Sequence, residues 1–388
     1  MRMARRSSLE ISRSVHCLWR EPNVRDGYAT AVSLHSHTMH SREGLGFVPR
    51  VLRRAPLAHA ALQRIEEWHR REHGKPIPFE RAFWRLPLNP QAAHDLEAAQ
   101  IRNLLGLRPL VSLTDHDNLA ACAELHTLGI QVPYSLEWTV PYHGTVFHIG
   151  VHNLPPERAR GLEAAVAAAT AAPVSGRVAE LLTEMHAMPE VLLVLNHPFS
   201  CEGFVERAAH VRLLMQFLGE FGGWIHALEL NGLQPKVNNI NTIRLAAERD
   251  VPVISGGDRH CSEPNANLNL TNASTFEEFV REIRVDRRSS VLFLPQYRDP
   301  VSARYVEFIW HAVRSYPEFA GRARWVDRVF FQRESGEIVT CGSLWPNGGP
   351  AVIRGFISAI GFLASPGMRA VHCMAMGRAG NAEPGMIL

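Results

Sequence analysis

Lysine is almost missing from this chain of 388 residues, since Lys75 and Lys236 are the only lysines among 41 basic side chains. A dominant charge is missing as well, because 38 acidic residues leave a net charge of only +3. Spread over this length, that charge is too weak to indicate a surface for nucleic acid or for an anionic membrane.

Paired cysteines and long apolar runs are also absent from the sequence. The six cysteines lie far apart with no CxxC pair, so no disulfide framework is expected. No apolar run of signal-peptide length follows the basic N-terminus, and no stretch reaches the ~20 residues of a membrane helix. We therefore expect a cytoplasmic protein without a membrane segment.

Six short apolar runs recur along the chain, and each ends in polar or small residues. They cover residues 29–34, 108–114, 144–151, 190–196, 224–231 and 251–257. Runs of this length without clean alternation predict strands buried on both faces. Helix-compatible segments at 91–105, 158–171, 177–186 and 240–249 lie between them. Strands alternating with helices predict an α/β fold with a parallel sheet, and six or seven units in about 270 residues favour a barrel.

Two regions interrupt this alternation. Residues 46–90 form an insertion after the first strand, with an amphipathic helix near 58–72 and a stretch rich in proline and aromatic residues. We expect it to cover the mouth of the barrel as a lid. Residues 301–388 are expected to be an appended α+β extension whose last twenty or so residues are disordered. The predicted organisation is thus an N-terminal segment at 1–28, a barrel at 29–300 and the extension.

Histidines and carboxylates cluster where the predicted strands end. His35 and His37 follow the first strand, and residues i and i+2 of an extended chain point to the same face. Two buried imidazoles are costly unless a metal ion compensates them. Loops after the strands of a parallel barrel form one rim, so we expect the strand-end residues to meet there. They are His35, His37, Asp115, His116, Asp117, Glu137, His148, His197, Asp258 and His260.

This mixture of imidazoles and carboxylates matches zinc, manganese or iron. So many ligands exceed the needs of one metal, which suggests two or three divalent ions that share carboxylates. One element has an alternative explanation, because the sequence TDHD at 114–117 could also cap a helix that begins at Asn118. The metal interpretation is favoured because each cluster follows a different predicted strand.

The motifs SLHSHT, LTDHD, SLE, FHIG, NHP and SGGDRH, in that order over residues 29–260, resemble the PHP (polymerase and histidinol phosphatase) family. The resemblance implies a distorted (β/α)7 barrel, here with a helical insertion after strand 1 and a C-terminal α+β extension. It also implies two or three metal ions and hydrolysis of phosphate esters. The ligands it implies are His35, His37, His116, Glu137, His148, His197, Asp258 and His260, with Glu137 as the bridge. Asp115 is expected to orient a ligand imidazole.

The sequence departs from the family pattern at SREG, residues 41–44, where the family commonly has SDG. Arg42 stands where the aspartate would be. Either the adjacent Glu43 supplies the missing ligand, or the site holds two metals instead of three. Arg42 either faces the substrate phosphate or is a solvated loop residue. Arg259, where the family usually has a small residue, is a second candidate for binding phosphate.

The expected activity is therefore metal-dependent hydrolysis of a small phosphorylated substrate, with a metal-bridging hydroxide as the nucleophile. His197 and His260 are the candidates for protonating the leaving group. One alternative is hydrolysis of a C–N or lactone bond, as in amidohydrolases. Their subtype with a carbamylated lysine is disfavoured, because neither lysine follows a predicted strand at the rim. The other alternative is a non-catalytic, metal-loaded binding module. The substrate and the oligomeric state are left open.

Overall fold

The computed structural model describes residues 8–53, 56–201 and 205–380, which form a mixed α/β fold with three β-sheets. The strands are β1 (Val15–Cys17), β2 (Thr30–Ser33), β3 (Glu43–Gly44), β4 (Ala82–Trp84), β5 (Arg108–Val111), β6 (Tyr134–Tyr142), β7 (Thr145–Leu154), β8 (Leu192–Leu195), β9 (Ala227–Asn231), β10 (Val253–Gly256), β11 (Asn267–Thr271), β12 (Val291–Phe293), β13 (Val329–Gln332) and β14 (Ile338–Thr340).

Helices connect and cover these strands. They are α1 (Ser8–Ser12), α2 (Val48–Leu52), α3 (Pro56–His73), α4 (Pro90–Gln100), α5 (Ala120–Thr127), α6 (Pro156–Ala171), α7 (Ser175–His186), α8 (Arg207–Phe221), α9 (Lys236–Arg249), α10 (Phe276–Arg284), α11 (Val301–Val313), α12 (Trp325–Arg328), α13 (Cys341–Leu344), α14 (Ala351–Leu363) and α15 (Pro366–Gly380). All six predicted apolar runs contain a strand, and the predicted helical segments correspond to α3, α4, α6, α7 and α9.

The strand order is β1-β12-β11-β2-β5 in the first sheet and β10-β9-β8-β7-β6 in the second. The prediction of a parallel sheet is wrong for both sheets. In the first, β11 pairs antiparallel with β12 and β2, and in the second, β7 pairs antiparallel with β6 and β8. Strands β6 and β7 form a tight hairpin in which Tyr142 pairs with Thr145. Its two turn residues, His143 and Gly144, have φ of 46° and 82°, which suits a two-residue hairpin turn.

The first and second sheets meet just beyond the ends of their strands. Single bridges join Ser36 to Arg259 and His116 to Glu137. A continuous ladder does not form at the first junction, because Asp258 adopts a left-handed φ of 52° there. The closed barrel expected from the sequence is therefore not found among the residues described. Two five-stranded sheets stand in its place.

Strand β8 shows why the second sheet has no solvent face. All of Leu192–Leu195 is buried, and alternate side chains enter different apolar clusters. Leu193 and Leu195 pack with Phe217, whereas Leu192 and Val194 pack with Phe279. Burial on both faces is what the unbroken apolar run predicts.

The third sheet, β14-β13-β4-β3, joins the two regions that interrupt the sequence pattern. Strand β4 of the insertion pairs with β13 of the C-terminal segment, and Phe83 stacks on Phe330 at 5.3 Å between ring centroids. Trp68 of α3 lies 6.0 Å from Trp345. The insertion therefore packs against the C-terminal segment.

The C-terminal segment includes a last helix, α15, at residues 366–380. Residues 381–388, the end of the tail expected to be disordered, lie outside the described residues. In the part of the chain that the structure describes, no single helix combines the length and apolarity needed to cross a membrane. Ala351–Leu363 and Pro366–Ala375, bent by 72°, satisfy both conditions only when counted together.

Replacing Gly257 by alanine should destabilise the fold. A Cβ atom at Gly257 would lie 1.7 Å from the Oδ1 atom of Asn265, whose amide donates to Leu34 O and Ser33 Oγ. We expect Gly257→Ala to lower the free energy of unfolding by about 1–3 kcal/mol, measured by urea denaturation with chelator present.

The matched control is Gly161→Ala in the middle of α6, where an added Cβ meets no described atom within 4 Å. This change should leave stability unchanged or raise it by up to ~1 kcal/mol. Equal stability of both variants would contradict the close packing of the β10–β11 loop.

Candidate metal centre

Eight of the predicted ligands converge at the junction of the two sheets. His35 and His37 follow β2, His116 follows β5, and the others lie on β6 and β7 or after β8 and β10. Their ligand atoms form four overlapping groups, each with all atoms within 4.8 Å of one another. The groups are His35–His37–Glu137, Glu137–His148–His197, His35–His197–Asp258 and His37–His116–His260.

Glu137 lies at the centre of this cluster. Its Oε1 is 3.0 Å from His35 Nε2 and its Oε2 is 3.2 Å from His37 Nε2. Three further imidazole nitrogens lie within 3.4 Å of the carboxylate: His116 Nδ1, His148 Nδ1 and His197 Nε2. The side chain of Glu137 is 1% exposed, so water does not compensate its charge.

The hydrogen bonds of His35 show that, in the neutral ring, its Nε2 atom has no hydrogen to donate to Glu137. His35 Nδ1 lies 2.6 Å from the carboxylate of Glu229, which can only accept, so Nδ1 carries the hydrogen. In the neutral ring the lone pair of Nε2 then points at another acceptor, Glu137. Among the described residues Glu137 Oε2 has no hydrogen-bond partner, although it is buried. A buried set of facing acceptors is what a divalent cation satisfies, so these residues fit a metal.

Without a cation, protons compensate the charges. Burial opposes ionisation of Glu137, but the rings of His35, His148 and His116 outweigh it and hold its pKa well below the usual value. Burial also opposes the charged form of His116, yet Glu43 and Glu137 raise the pKa of that ring to about 10. Likewise, the hydrogen bond of Glu137 and the charge of Asp258 overcome burial and raise the pKa of His197 to about 9.

Three of these residues adopt backbone conformations that are unfavourable for side chains larger than glycine. The φ angles of His35, His197 and Asp258 are 61°, 27° and 52°. Each such residue costs about 1–3 kcal/mol and persists only where the surroundings impose it. All three follow a strand, so the turn is part of what directs their side chains into the cluster.

Glu43 reaches the cluster from the third sheet. Its Oε2 lies 3.5 Å from His116 Nε2, and its Oε1 lies 3.6 Å from His260 Nε2. In the described part of the chain Oε1 has no hydrogen-bond partner. The structure thus brings the glutamate of SREG to the position where the sequence predicts a replacement ligand.

Asp115 and Arg259 have other partners than the ligand imidazole and the phosphate that the sequence analysis expects for them. The carboxylate of Asp115 accepts from the backbone N and the hydroxyl of Thr38, at 2.6 and 2.7 Å, and no contact of it with an imidazole is found among the described residues. It fixes the turn after His37. The guanidinium of Arg259 is buried against Glu97 at 2.9 Å and donates to His37 O, so the structure gives it a partner other than phosphate.

Arg42 is exposed, and its guanidinium carbon lies 5.3 Å from the centroid of the Phe83 ring. No contact of Arg42 with the metal cluster is found among the described residues. Its role toward phosphate therefore stays a prediction.

Two residues of the site were missed by the sequence analysis. Glu229 holds His35 and accepts from the backbone N of His197 at 3.2 Å, while Asn196 donates to Glu137 Oε1 at 2.8 Å. The available signal for Glu229 is a single charged residue inside an apolar run, in the motif ELNG at 229–232. Gly256 leaves room for it, since a Cβ there would lie 2.0 Å from Glu229 Oε2.

A cleft of about 440 Å³ opens beside the cluster. Asp258 and His260 line one side, and Arg304, Phe308 and Arg369 from α11 and α15 line the other. The C-terminal segment thus forms one wall of this cavity beside the candidate metal centre.

Comparison with known proteins finds only distant similarity. No protein-family model matches the chain, and no curated protein matches it. Among solved structures, PsfC from Pseudomonas syringae PB-5123 is 16% identical with a TM-score of 0.38, over 69% of this chain and 93% of that one.

Two further solved structures are similar at the same level. A candidate metal-dependent phosphoesterase from Bifidobacterium adolescentis ATCC 15703 is 17% identical with a TM-score of 0.32, over 51% of this chain and 91% of that one. An amidohydrolase from Chromobacterium violaceum is 16% identical with a TM-score of 0.31, over 59% of this chain and 87% of that one. These TM-scores are too low to argue for a fold or an activity, so the function has to be argued from the site itself.

Glu229→Gln should weaken metal binding although Glu229 belongs to none of the four ligand groups. The amide cannot accept from His35 Nδ1 and His197 N as a carboxylate does, so the His35 ring loses its fixed tautomer. We expect a loss of about 10- to 100-fold in metal affinity, measured by competition with a chelator. Glu220→Gln, which removes a carboxylate bound to Tyr142 away from the cluster, is the control. Equal affinity of both variants with the unaltered protein would contradict this role.

Metal binding should release protons and strengthen with pH. The pKa values of His116 and His197, about 10 and 9, mean that both rings hold protons in the metal-free protein at pH 7. Ligation requires neutral rings, and the pKa values of His35 and His260 are raised as well, so binding should release at least two protons, and affinity should rise as pH increases from 7 to 9. Calorimetry in buffers of different ionisation enthalpy measures this release. Binding that is independent of pH and buffer would refute the assignment.

Proposed function

We propose that this chain is a metal-dependent hydrolase of phosphate esters, acting on a small phosphomonoester. The observation that carries the proposal is a buried carboxylate, Glu137, surrounded by five imidazoles in a cluster whose Asp258 and His260 line a cleft. The volume of this cleft, about 440 Å³, falls in the range of sites that bind small molecules. The near-neutral charge of the chain supports a small substrate over a polyanion.

A fold of the PHP type is part of this proposal. The bridges Ser36–Arg259 and His116–Glu137 link the ends of the two sheets in the order that a distorted barrel requires. The motif SGGDRH, which carries Arg259, and the motif SLHSHT, which carries Ser36, are the last and first of the ordered set. Their contact supports the resemblance inferred from the sequence.

The residues present would hold two or three ions of zinc, manganese or iron. Four residues belong to two of the four ligand groups, and of these only Glu137 is a carboxylate, whose two oxygens can each face an ion, so we assign it as the shared ligand. Glu43 faces the group that contains His116 and His260, so we assign it to a third ion as the replacement for the missing aspartate. Bound ions supply an activated water and neutralise the phosphate charge.

The chain's own residues position the substrate and the protons. Asp258 and His260 border the cleft, so a phosphate that enters it meets the cluster there. His260 Nδ1 lies 2.7 Å from the carbonyl oxygen of Asp258 and must donate to it, which fixes the ring. Of the two predicted proton donors, only His260 lines the described cleft, but its Nδ1 hydrogen is held by Asp258 O and its ring belongs to a ligand group, so the proton donor to the leaving alcohol stays a prediction. The lid role of residues 46–90 stays a prediction.

Glu137→Gln should abolish both metal loading and turnover. The amide removes the charge that holds the surrounding rings, so kcat/KM for p-nitrophenyl phosphate should fall at least about 100-fold, together with metal content. The assay uses protein reloaded with manganese, zinc or iron after chelation, and elemental analysis gives the metal content. Asp95→Asn, an exposed carboxylate outside the cluster, is the control and should change neither.

The alternatives give different results in the same assay. Bound metal with turnover of an amide or lactone, but not of phosphate esters, would refute the phosphoesterase assignment and favour amidohydrolase-like chemistry. Bound metal without turnover of either class would favour the binding module.

A further inference from the structure

A second group of metal-ligating side chains lies outside the cluster around Glu137. Glu263 of the β10–β11 loop meets Glu307 and His311 of α11, with ligand atoms within 4.8 Å of one another. All three line the same cleft, on the side formed by the C-terminal segment. His311 Nε2 lies 3.7 Å from Glu263 Oε1.

Hydrogen bonds from outside the group fix the tautomer of His311. The hydroxyl of Tyr316 donates to the backbone oxygen of His311 at 2.7 Å, which uses its single hydrogen. The contact of 3.1 Å between Tyr316 Oη and Ser262 Oγ therefore requires Ser262 to donate. Ser262 Oγ also accepts from Arg314 Nη2 at 2.9 Å.

Because Ser262 already donates its hydrogen to Tyr316, it can only accept in its contact with His311. His311 Nδ1 lies 2.5 Å from Ser262 Oγ and must be the donor. Burial and the positive charges of Arg314 and Arg369 lower the pKa of His311 to about 4, so the ring is neutral at pH 7. The Nε2 atom of His311 then carries no hydrogen, and its lone pair faces the carboxyl group of Glu263.

The two carboxylates also lack a positive partner between them. Burial, with the hydrogen bond and charge of Glu307, raises the pKa of Glu263 to about 9, so a proton is held there at pH 7. Arg369 compensates Glu307 from one side, with Nη1 at 2.5 Å from Oε1. The carboxylates of Glu263 and Glu307 and the Nε2 atom of His311 thus lie close together, with one proton among them.

We propose that Glu263, Glu307 and His311 form a second divalent-cation site, suited to zinc by its nitrogen and two oxygens. A histidine that donates Nδ1–H to an oxygen and presents Nε2 is the arrangement of a metal ligand. The cation would displace the proton of Glu263 and connect the loop that carries Asp258 and His260 to α11. The proposal stands independently of the phosphoesterase activity.

Zinc stoichiometry of the full chain tests the site. Chelated protein is dialysed to equilibrium against buffered zinc, and bound zinc is measured by elemental analysis. Glu263→Gln and His311→Ala should each bind one equivalent fewer than the unaltered chain, whereas Glu137→Gln should lose ions of the other cluster and retain this one. The matched control is Asp299→Asn, which removes the other carboxylate held by Arg369 but no proposed ligand.

Crystals soaked in zinc give a second readout that needs no turnover. An anomalous peak between Glu263 and His311, absent in Glu263→Gln, is the expected result. Equal zinc content in Glu263→Gln and the unaltered chain, or no peak at this position, would overturn the proposal. If His311→Ala does not fold by circular dichroism, Glu263→Gln decides alone, since it keeps the side-chain shape.

Discussion

The structure depends on one constraint, which is that the charge of Glu137 is buried where water cannot reach it. Positive charge must come from protons on the surrounding rings or from cations, because a buried unpaired carboxylate is too costly to keep. The rings are brought there by strand ends from both sheets, and His35 and His197 adopt strained φ angles to face it. The fold at this junction is thus organised around compensating a buried charge.

The C-terminal segment contributes to the same centre through backbone pairing. Strand β3 has only two residues, Glu43 and Gly44, and a strand this short is not stable by itself. It pairs with β4, which pairs in turn with β13. The insertion and the extension, which lie outside the resemblance to a known family, therefore place Glu43 against His116 and His260. The same segment supplies α11 and α15, the far wall of the cleft.

Local signals in the sequence were enough to predict the strand ends and the cluster of side chains that follows them. His35 and His37 stand two residues apart after an apolar run, and this spacing is readable without any fold. Glu97 was out of reach of such reasoning, since it looks like a polar residue of an ordinary helix. It is fully buried against Arg259, which lies 162 positions further along the chain. The hairpin was missed because the predicted apolar run begins at residue 144, so β6 was not among the predicted strands.

The two candidate cation sites share one feature. In each, a residue that is not itself a ligand fixes which nitrogen of a ligand histidine carries the hydrogen. Glu229 accepts a hydrogen bond from Nδ1 of His35, and Ser262 accepts one from Nδ1 of His311, so each ring presents its Nε2 atom to a carboxylate. The two sites differ in what opposes a cation. Arg369 neutralises part of the charge of Glu307, whereas no guanidinium among the described residues pairs with Glu137. A divalent ion should therefore bind more tightly beside Glu137, and the site on α11 should fill only after it.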